Sequence, residues 1–328
     1  GKANPLRMNG VNKVAYELAR AQHAAGEEIS VWGITANPAH DYPERSFTTR
    51  LFAPSRWGIS AELRRSVESL PQDAVVHIHG VFIPLLDKLA RLLKQRSVAY
   101  IITPHGALAK GAMERNKWQK QIYFQLVTRP ILRGAASVQT LGEAESSDLF
   151  DLAPEVHQVM IPNGQDLAEI PRLQERQPNA VPVFGFCGRM DAYHKGLDLL
   201  LQAFRDLIAN GTAARLLLIG DGADRPKLEQ YCQDNGLHEF VEFVGARYGA
   251  EKYTFLHQAD FFVHTSRMEG FPIAVLEAAG LGLPPITTPP TSMNRYLRRY
   301  DAGLPVNEVS VPAISRSLAQ ACALFNSL

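Results

Sequence analysis

The sequence predicts an α/β protein of two domains, each a parallel sheet flanked by helices. Three observations carry that prediction. Helix-like and strand-like patterns alternate from end to end, the rhythm that βαβ units with right-handed crossovers produce. The strand-like runs are short, apolar and β-branched, and each closes on a turn signal. One polar, proline-bearing stretch, NGQDLAEIPRLQERQPNAVP, has no convincing period and falls at mid-chain. It is the expected linker, near residues 165–180, between a first domain of residues 1–168 and a second of residues 169–328. At 328 residues and 46% hydrophobic content, the chain carries enough apolar surface for two cores.

The elements follow in order. GKANPLRMNG reads as the glycine loop that would follow a strand, so the expected first strand is missing from the sequence. VNKVAYELARAQHAAG is an amphipathic helix ending at Gly26; EISVWGI, AVVHIHG, VAYIITPHG, SVQTLG and QVMIPNG are the strand-like runs of the first half. The second half repeats the pattern with VPVFGFCG, ARLLLIGDG, FVEFVGA, ADFFVHTS and PPITT. Leu197, Leu200, Leu201, Phe204, Leu207 and Ile208 recur at helical spacing after Lys195-Gly196, so one face of that helix packs on a sheet. SRSLAQACALFNSL closes the chain as a helix that stops abruptly.

Composition excludes several classes. A formal net charge of +1 provides no global field to select nucleic acid or acidic polymers. Cys187, Cys232 and Cys322 have no metal-ligand or redox spacing and read as small buried hydrophobes in a reducing, cytoplasmic setting. No apolar run is long enough to span a membrane and no signal-peptide core is present, so any membrane contact is expected to be peripheral.

The chemistry concentrates in two loops of the second half. Glu269 and Glu277 bracket EGFPIAVLE, eight positions apart, where a strand gives way to a helix that Pro272 is suited to open. The exposed backbone N–H groups at such a point favour an anion, whereas two carboxylates there favour hydroxyls. A nucleotide sugar offers both: Phe271, Ile273 and Ala274, in the turn shaped by Gly270 and Pro272, would meet phosphate with their N–H groups while the acids accept from hydroxyls. Upstream, Arg189 and Lys195 sit at the rim of another strand-to-helix turn, and a planar fork with a compact ammonium can clamp a diphosphate leaving group. The bland alternative is a pair of solvated cations and a pair of surface acids. In the first half, Gly10 opens a helix where backbone can approach phosphate, and His105 ends a buried strand in TPHGAL; a lone histidine there is more commonly bonded to a nearby carbonyl. His77 and His79 share one strand face without a carboxylate that would complete a metal site.

Gly188-Arg189, Lys195-Gly196, the IGDG run at Ile219 to Gly222, ADFFVHTS with Glu269 and Glu277, and PNG at Pro162 to Gly164 together resemble the retaining glycosyltransferases of family 4. The resemblance covers nearly the whole chain and is more specific in its second half. It implies the GT-B fold, two facing Rossmann-like domains with an interdomain cleft. It implies transfer of a sugar from a nucleotide-diphosphate donor to a hydroxyl of a glycan or lipid-linked acceptor, in surface polysaccharide biosynthesis. It assigns Glu269 to hydroxyls of the donor sugar, Glu277 to the ribose, His105 to the lining of the donor-sugar pocket, and the loop containing Arg247 and Tyr248 to the base. The family commonly has two adjacent glycines at the first loop, where this chain has Asn9 before Gly10. A further C-terminal helix that the family usually has is expected to be missing. The implied mechanism is a front-face substitution in which the departing diphosphate oxygen takes the acceptor's proton.

No Asp-any-Asp triplet occurs, so no metal or other cofactor is expected and the cations replace one. Residues 110–133 carry Lys110, Arg115, Lys117, Lys120, Arg129 and Arg133 against Glu114, with Trp118, Tyr123 and Phe124 interleaved. They read either as a solvated helix whose aromatics complete the core or as a surface for anionic lipid at the inner face of the plasma membrane. The alternatives are another nucleotide-sugar enzyme, an epimerase or a phosphorylase, and a catalytically silent binding protein. An epimerase needs acids or bases at the sugar ring and a phosphorylase a pyridoxal phosphate lysine, and neither signature is evident.

Overall fold

The computed structural model describes residues 10–37, 46–55, 58–114, 116–172 and 177–327. The chain divides into two units, Gly1–Gly164 and Gln165–Leu328. In the first, the helix Gly10–Ala24 leads into β1 (Ser30–Ile34), which pairs in parallel with β2 (Thr48–Phe52). A separate parallel sheet runs in the order β3 (Val75–His79), β4 (Ala99–Thr103), β5 (Ser137–Thr140) and β6 (Gln158–Met160). Ile78, Tyr100, Ile102 and Val138 point from its strands into a core closed by Leu89 and Leu93 of the helix Pro84–Gln95 and by Phe124 and Leu132. Tyr100 is tolerated there because its hydroxyl donates to the Ile131 carbonyl at 2.8 Å. β2 carries no alternating apolar signal because Arg50 lies in it; its guanidinium covers the Trp32 and Phe52 rings and donates to Ser66 Oγ at 2.8 Å.

The second unit is one six-stranded parallel sheet: β7 (Val183–Cys187), β8 (Arg215–Ile219), β9 (Val241–Gly245), β10 (Phe261–His264), β11 (Pro285–Thr287) and β12 (Leu304–Pro305). Their spatial order is β12-β11-β10-β7-β8-β9. All residues of β7 and β10 are buried, as central strands covered on both faces must be. The helix Leu197–Ala209 buries Leu197, Leu200, Leu201, Phe204 and Leu207, on the predicted face, and the helix Val311–Phe325 packs beside it. Ile170 is buried beneath Gly280, where a Cβ would come within 2.1 Å of Ile170 Cδ1, so residues 167–170 pack with this second unit. β2 and the two-residue β12 were not predicted.

One topological fact positions the chemistry. The chain builds β7, β8 and β9 outward to one edge, then returns to lay β10 on the other side of β7. Loops leaving the carboxyl ends of β7 and β10 therefore diverge, which opens the crevice where doubly wound sheets bind ligands.

Candidate functional site at the strand switch point

Arg189 and Lys195 follow β7, and Glu269 follows β10, so the switch point brings both predicted loops to one crevice. The loops are fitted to each other at backbone level. Gly196 has φ +62, and a Cβ there would lie 2.1 Å from the Thr265 carbonyl oxygen; Thr265 Oγ1 donates to the carbonyls of Lys195 at 3.2 Å and Gly196 at 3.1 Å. Arg267 forks onto Asp198 at 2.6 and 2.7 Å, donates to the Tyr193 carbonyl and covers the Tyr193 ring. Beyond Arg189, the IGDG run fits as closely: a Cβ at Gly220 would meet the Gly188 carbonyl oxygen at 1.9 Å, and one at Gly222 the Met190 carbonyl oxygen at 2.3 Å.

These fits deliver Lys195 to Glu269. The ammonium donates to Glu269 Oε2 at 2.5 Å, and His264 Nε2 and Ser266 Oγ each donate to the same oxygen at 3.1 Å. Burial works against the Glu269 charge, but the Lys195 ammonium and the His264 hydrogen bond outweigh it and hold the carboxyl far below the usual range. Oε1 makes no hydrogen bond among the described residues, and the side chain is 18% exposed. An anchored anion with one free oxygen is an acceptor suited to a hydroxyl.

The other predicted residues of this unit have partners or packing of their own. Arg189 is 68% exposed and faces Asp191 at 3.4 Å. Phe271 is buried against Tyr296, Gly270 is buried in the preceding turn, and Pro272 is the residue before the helix Ile273–Gly280. Glu277 is buried on that helix, its Oε2 accepting from Lys252 at 2.7 Å and its Oε1 from Tyr253 at 3.3 Å. Arg247 is half-buried, paired with Glu251 at 3.1 Å and lying over the Phe255 ring.

In the first unit, His105 has the left-handed φ of +56, stacks on His79 and shares a 2.9 Å hydrogen bond between its Nε2 and His79 Nδ1. The following Gly106 N–H and the Leu141 N–H both donate to the buried carboxylate of Glu145, at 2.5 and 2.7 Å, which fixes the His105 turn. His77 donates from Nε2 to Thr103 Oγ1 at 2.7 Å, and Thr103 passes the bond to Gln139. Gly10 is the exposed first residue of its helix with no atom near a would-be Cβ; Met8 and Asn9 lie outside the described residues. Among the described residues, no group of three or more His, Cys, Asp or Glu side chains is placed to hold a metal ion.

Residues 110–133 divide differently from the sequence pattern. Lys110 pairs with Asp148 and Asp151, Lys117 with Glu114, and Arg129 and Arg133 with Glu155. Phe124 is fully buried and completes the core, whereas the half-buried Tyr123 donates to Asp87. Trp118, Ile122 and Leu126 instead stand 81%, 59% and 71% exposed. Arg115 lies outside the described residues.

Sequence reasoning missed His264, Glu145 and the Arg267–Asp198 fork. His264 left one signal, a histidine closing the otherwise apolar run FFVH five residues before Glu269. The Glu145–Gly106 bond and the Arg267–Asp198 fork join residues 39 and 69 positions apart, too distant in sequence for spacing to reveal.

Comparison with known proteins agrees with this architecture. Residues 181–323 match the family model described as glycosyl transferases group 1, and residues 9–164 match that of the glycosyl transferase 4-like domain. The chain belongs to the group 1 glycosyltransferases of family 4. This glycosyltransferase is 28% identical over 333 residues to the GDP-mannose:cellobiosyl-diphosphopolyprenol alpha-mannosyltransferase of Xanthomonas campestris, covering 97% of this chain and 84% of that one. It is 25% identical to the phosphatidyl-myo-inositol mannosyltransferase of Mycobacterium leprae, over 90% of this chain and 78% of that one. Among solved structures it resembles the sucrose-phosphate synthase of Thermosynechococcus elongatus, with a TM-score of 0.77 at 20% identity over 97% of this chain and 85% of that one. The GT-B fold of the family is thus the fold of this enzyme.

Proposed function

We propose that this glycosyltransferase is a retaining, metal-independent mannosyltransferase that uses GDP-mannose and a lipid-linked acceptor. The donor sugar and the lipid diphosphate are carried over from the printed activity of the Xanthomonas relative, and the phosphatidylinositol relative supports an acceptor held in a membrane. The observation that carries the site assignment is the Lys195–Glu269 pair at the switch point.

In this reading Lys195 and Arg189 stabilise the departing diphosphate, helped by the N–H groups of Phe271, Ile273 and Ala274. Glu269 Oε1 accepts from a donor-sugar hydroxyl. Glu277 takes the ribose and Arg247 flanks the base. Charge developing on the leaving oxygen is met by these two cations, and that oxygen takes the acceptor's proton as its bond to the sugar breaks and the new glycosidic bond forms on the same face. The protein contributes orientation and electrostatic stabilisation.

The test is a transfer assay with GDP-mannose and a short-chain lipid diphosphate disaccharide, with and without excess chelator. The expected product has the donor's anomeric configuration by NMR, at a rate the chelator leaves unchanged. Inversion at the anomeric carbon, or activity that vanishes with chelator and returns with manganese, overturns the mechanism; a donor panel in which another nucleotide sugar alone is consumed overturns the donor.

A further inference from the structure

We propose that His264 is a positioning residue for the donor sugar: its ring holds Glu269 in the one orientation that turns Oε1 toward a sugar hydroxyl. The proposal rests on the reading of Glu269 as the sugar's acceptor. His264 ends β10, the strand beside the switch point, and is buried. Its ring is near-parallel to those of Phe186 on the adjacent β7 and Phe262 on its own strand, with centroids 5.8 and 6.1 Å away and planes inclined by 17° and 16°. Buried beside these two rings, the imidazole has its plane held by packing.

The hydrogen bonding fixes its tautomer as well. Nε2 reaches Glu269 Oε2 at 3.1 Å, whereas Nδ1 is buried without a partner. A proton on Nδ1 would be a buried donor with no acceptor, so the proton resides on Nε2 and the ring is neutral. Burial, reinforced by the nearby Lys195 ammonium, depresses the imidazole pKa and favours the same form over the pull of Glu269.

The other two donors to Oε2 are less constrained. Lys195 has a flexible stem and, in the proposed mechanism, a second duty toward the diphosphate; a serine hydroxyl can turn its proton about the C–O bond, which a ring N–H cannot. When the ammonium turns toward phosphate, His264 is the donor that keeps the carboxylate in place. A leucine would fit an apolar strand end without leaving a buried polar atom unpaired, so the core does not explain a histidine here.

The experiment compares His264→Leu and His264→Gln with the wild type, using calorimetric binding of GDP, UDP, GDP-mannose and UDP-glucose, steady-state kinetics and thermal melting. His264→Leu is expected to melt no lower than the wild type and to bind the free nucleoside diphosphate normally. It is expected to bind the corresponding sugar nucleotide, or turn it over, roughly tenfold less well, the scale of one hydrogen bond to a charged group. His264→Gln, whose amide nitrogen reaches the Nε2 position, is expected to recover most of the loss. Equal losses on nucleotide and sugar nucleotide, an undiminished sugar nucleotide, or a glutamine variant no better than leucine each overturn the positioning role. A wild type that binds nucleoside diphosphates but none of their sugars removes instead the Glu269 reading beneath it, and the proposal falls with it.

Discussion

At the residue scale, charge at this site is set by partners. Glu269 stays ionised because a cation, an imidazole and a hydroxyl converge on one oxygen, whereas Glu277 has Lys252 and Tyr253 instead. His77 follows the opposite logic. Burial lowers its pKa from 6.5 to about 4, while an unfolded histidine keeps the ordinary value near ~6.5. Between those values the unfolded chain binds a proton that the folded chain refuses, so stability is full above about pH 6.5 and falls as the pH drops toward about 4. The total contribution is on the order of 3 kcal/mol. His77→Gln keeps a donor for Thr103 but does not titrate. Its melting temperature is expected to fall less than the wild type's between pH 7.5 and pH 5; parallel curves would show that His77 is not the source. The sequence displayed His77 and its neighbour as a shared face, and that was as far as spacing reached, because the bond to Thr103 crosses from β3 to β4.

At the element scale, the site is a contact between two loops made possible by missing side chains. Gly196 joins the β7 loop to the helix Leu197–Ala209, and its left-handed backbone lies against the carbonyl of Thr265. Gly196→Ala would therefore add the ordinary left-handed penalty of about 1–2 kcal/mol and force the Lys195 loop away from β10. A melting temperature lower by roughly 2–8 °C is expected, with weaker sugar-nucleotide binding because Lys195 and Glu269 separate. An unchanged melt would mean that the loops move apart freely. What sequence could and could not reveal follows from the same geometry. Lys195-Gly196 and Glu269 were legible as loop residues because apolar runs frame them on both sides. The Arg267–Asp198 fork was not, since 69 positions separate partners that the fold places 2.6 Å apart. β2 was hidden for a related reason: stacked aromatic rings satisfy Arg50 where a strand pattern would demand an apolar side chain.

At the scale of the whole molecule, a net charge of +1 supplies no global attraction to a charged membrane, so any such contact would rest on local surfaces. Of the two sequence readings of residues 110–133, the membrane one put the attraction in their cations, which suits anionic lipid. The structure reassigns much of that charge, since Asp148, Asp151, Glu114 and Glu155 neutralise Lys110, Lys117, Arg129 and Arg133. It leaves Trp118, Ile122 and Leu126 exposed at four-residue steps across the helix Lys117–Tyr123 and the π-helical turn Phe124–Thr128. Side chains spaced this way project to one side, and a tryptophan leading them suits the interfacial layer of a bilayer. If the acceptor is lipid-linked as proposed, this stripe supplies most of the binding and anionic headgroups add little. The chain is then expected to float with zwitterionic vesicles, and to gain only modestly when about a fifth of the lipid is anionic. Trp118→Ser with Leu126→Ser is expected to abolish flotation while leaving turnover of a short-chain, water-soluble acceptor intact, because neither residue is among those assigned to the donor site. Flotation that requires anionic lipid and collapses in high salt would return the role to the basic side chains, and flotation undiminished in the double variant would remove the stripe from it.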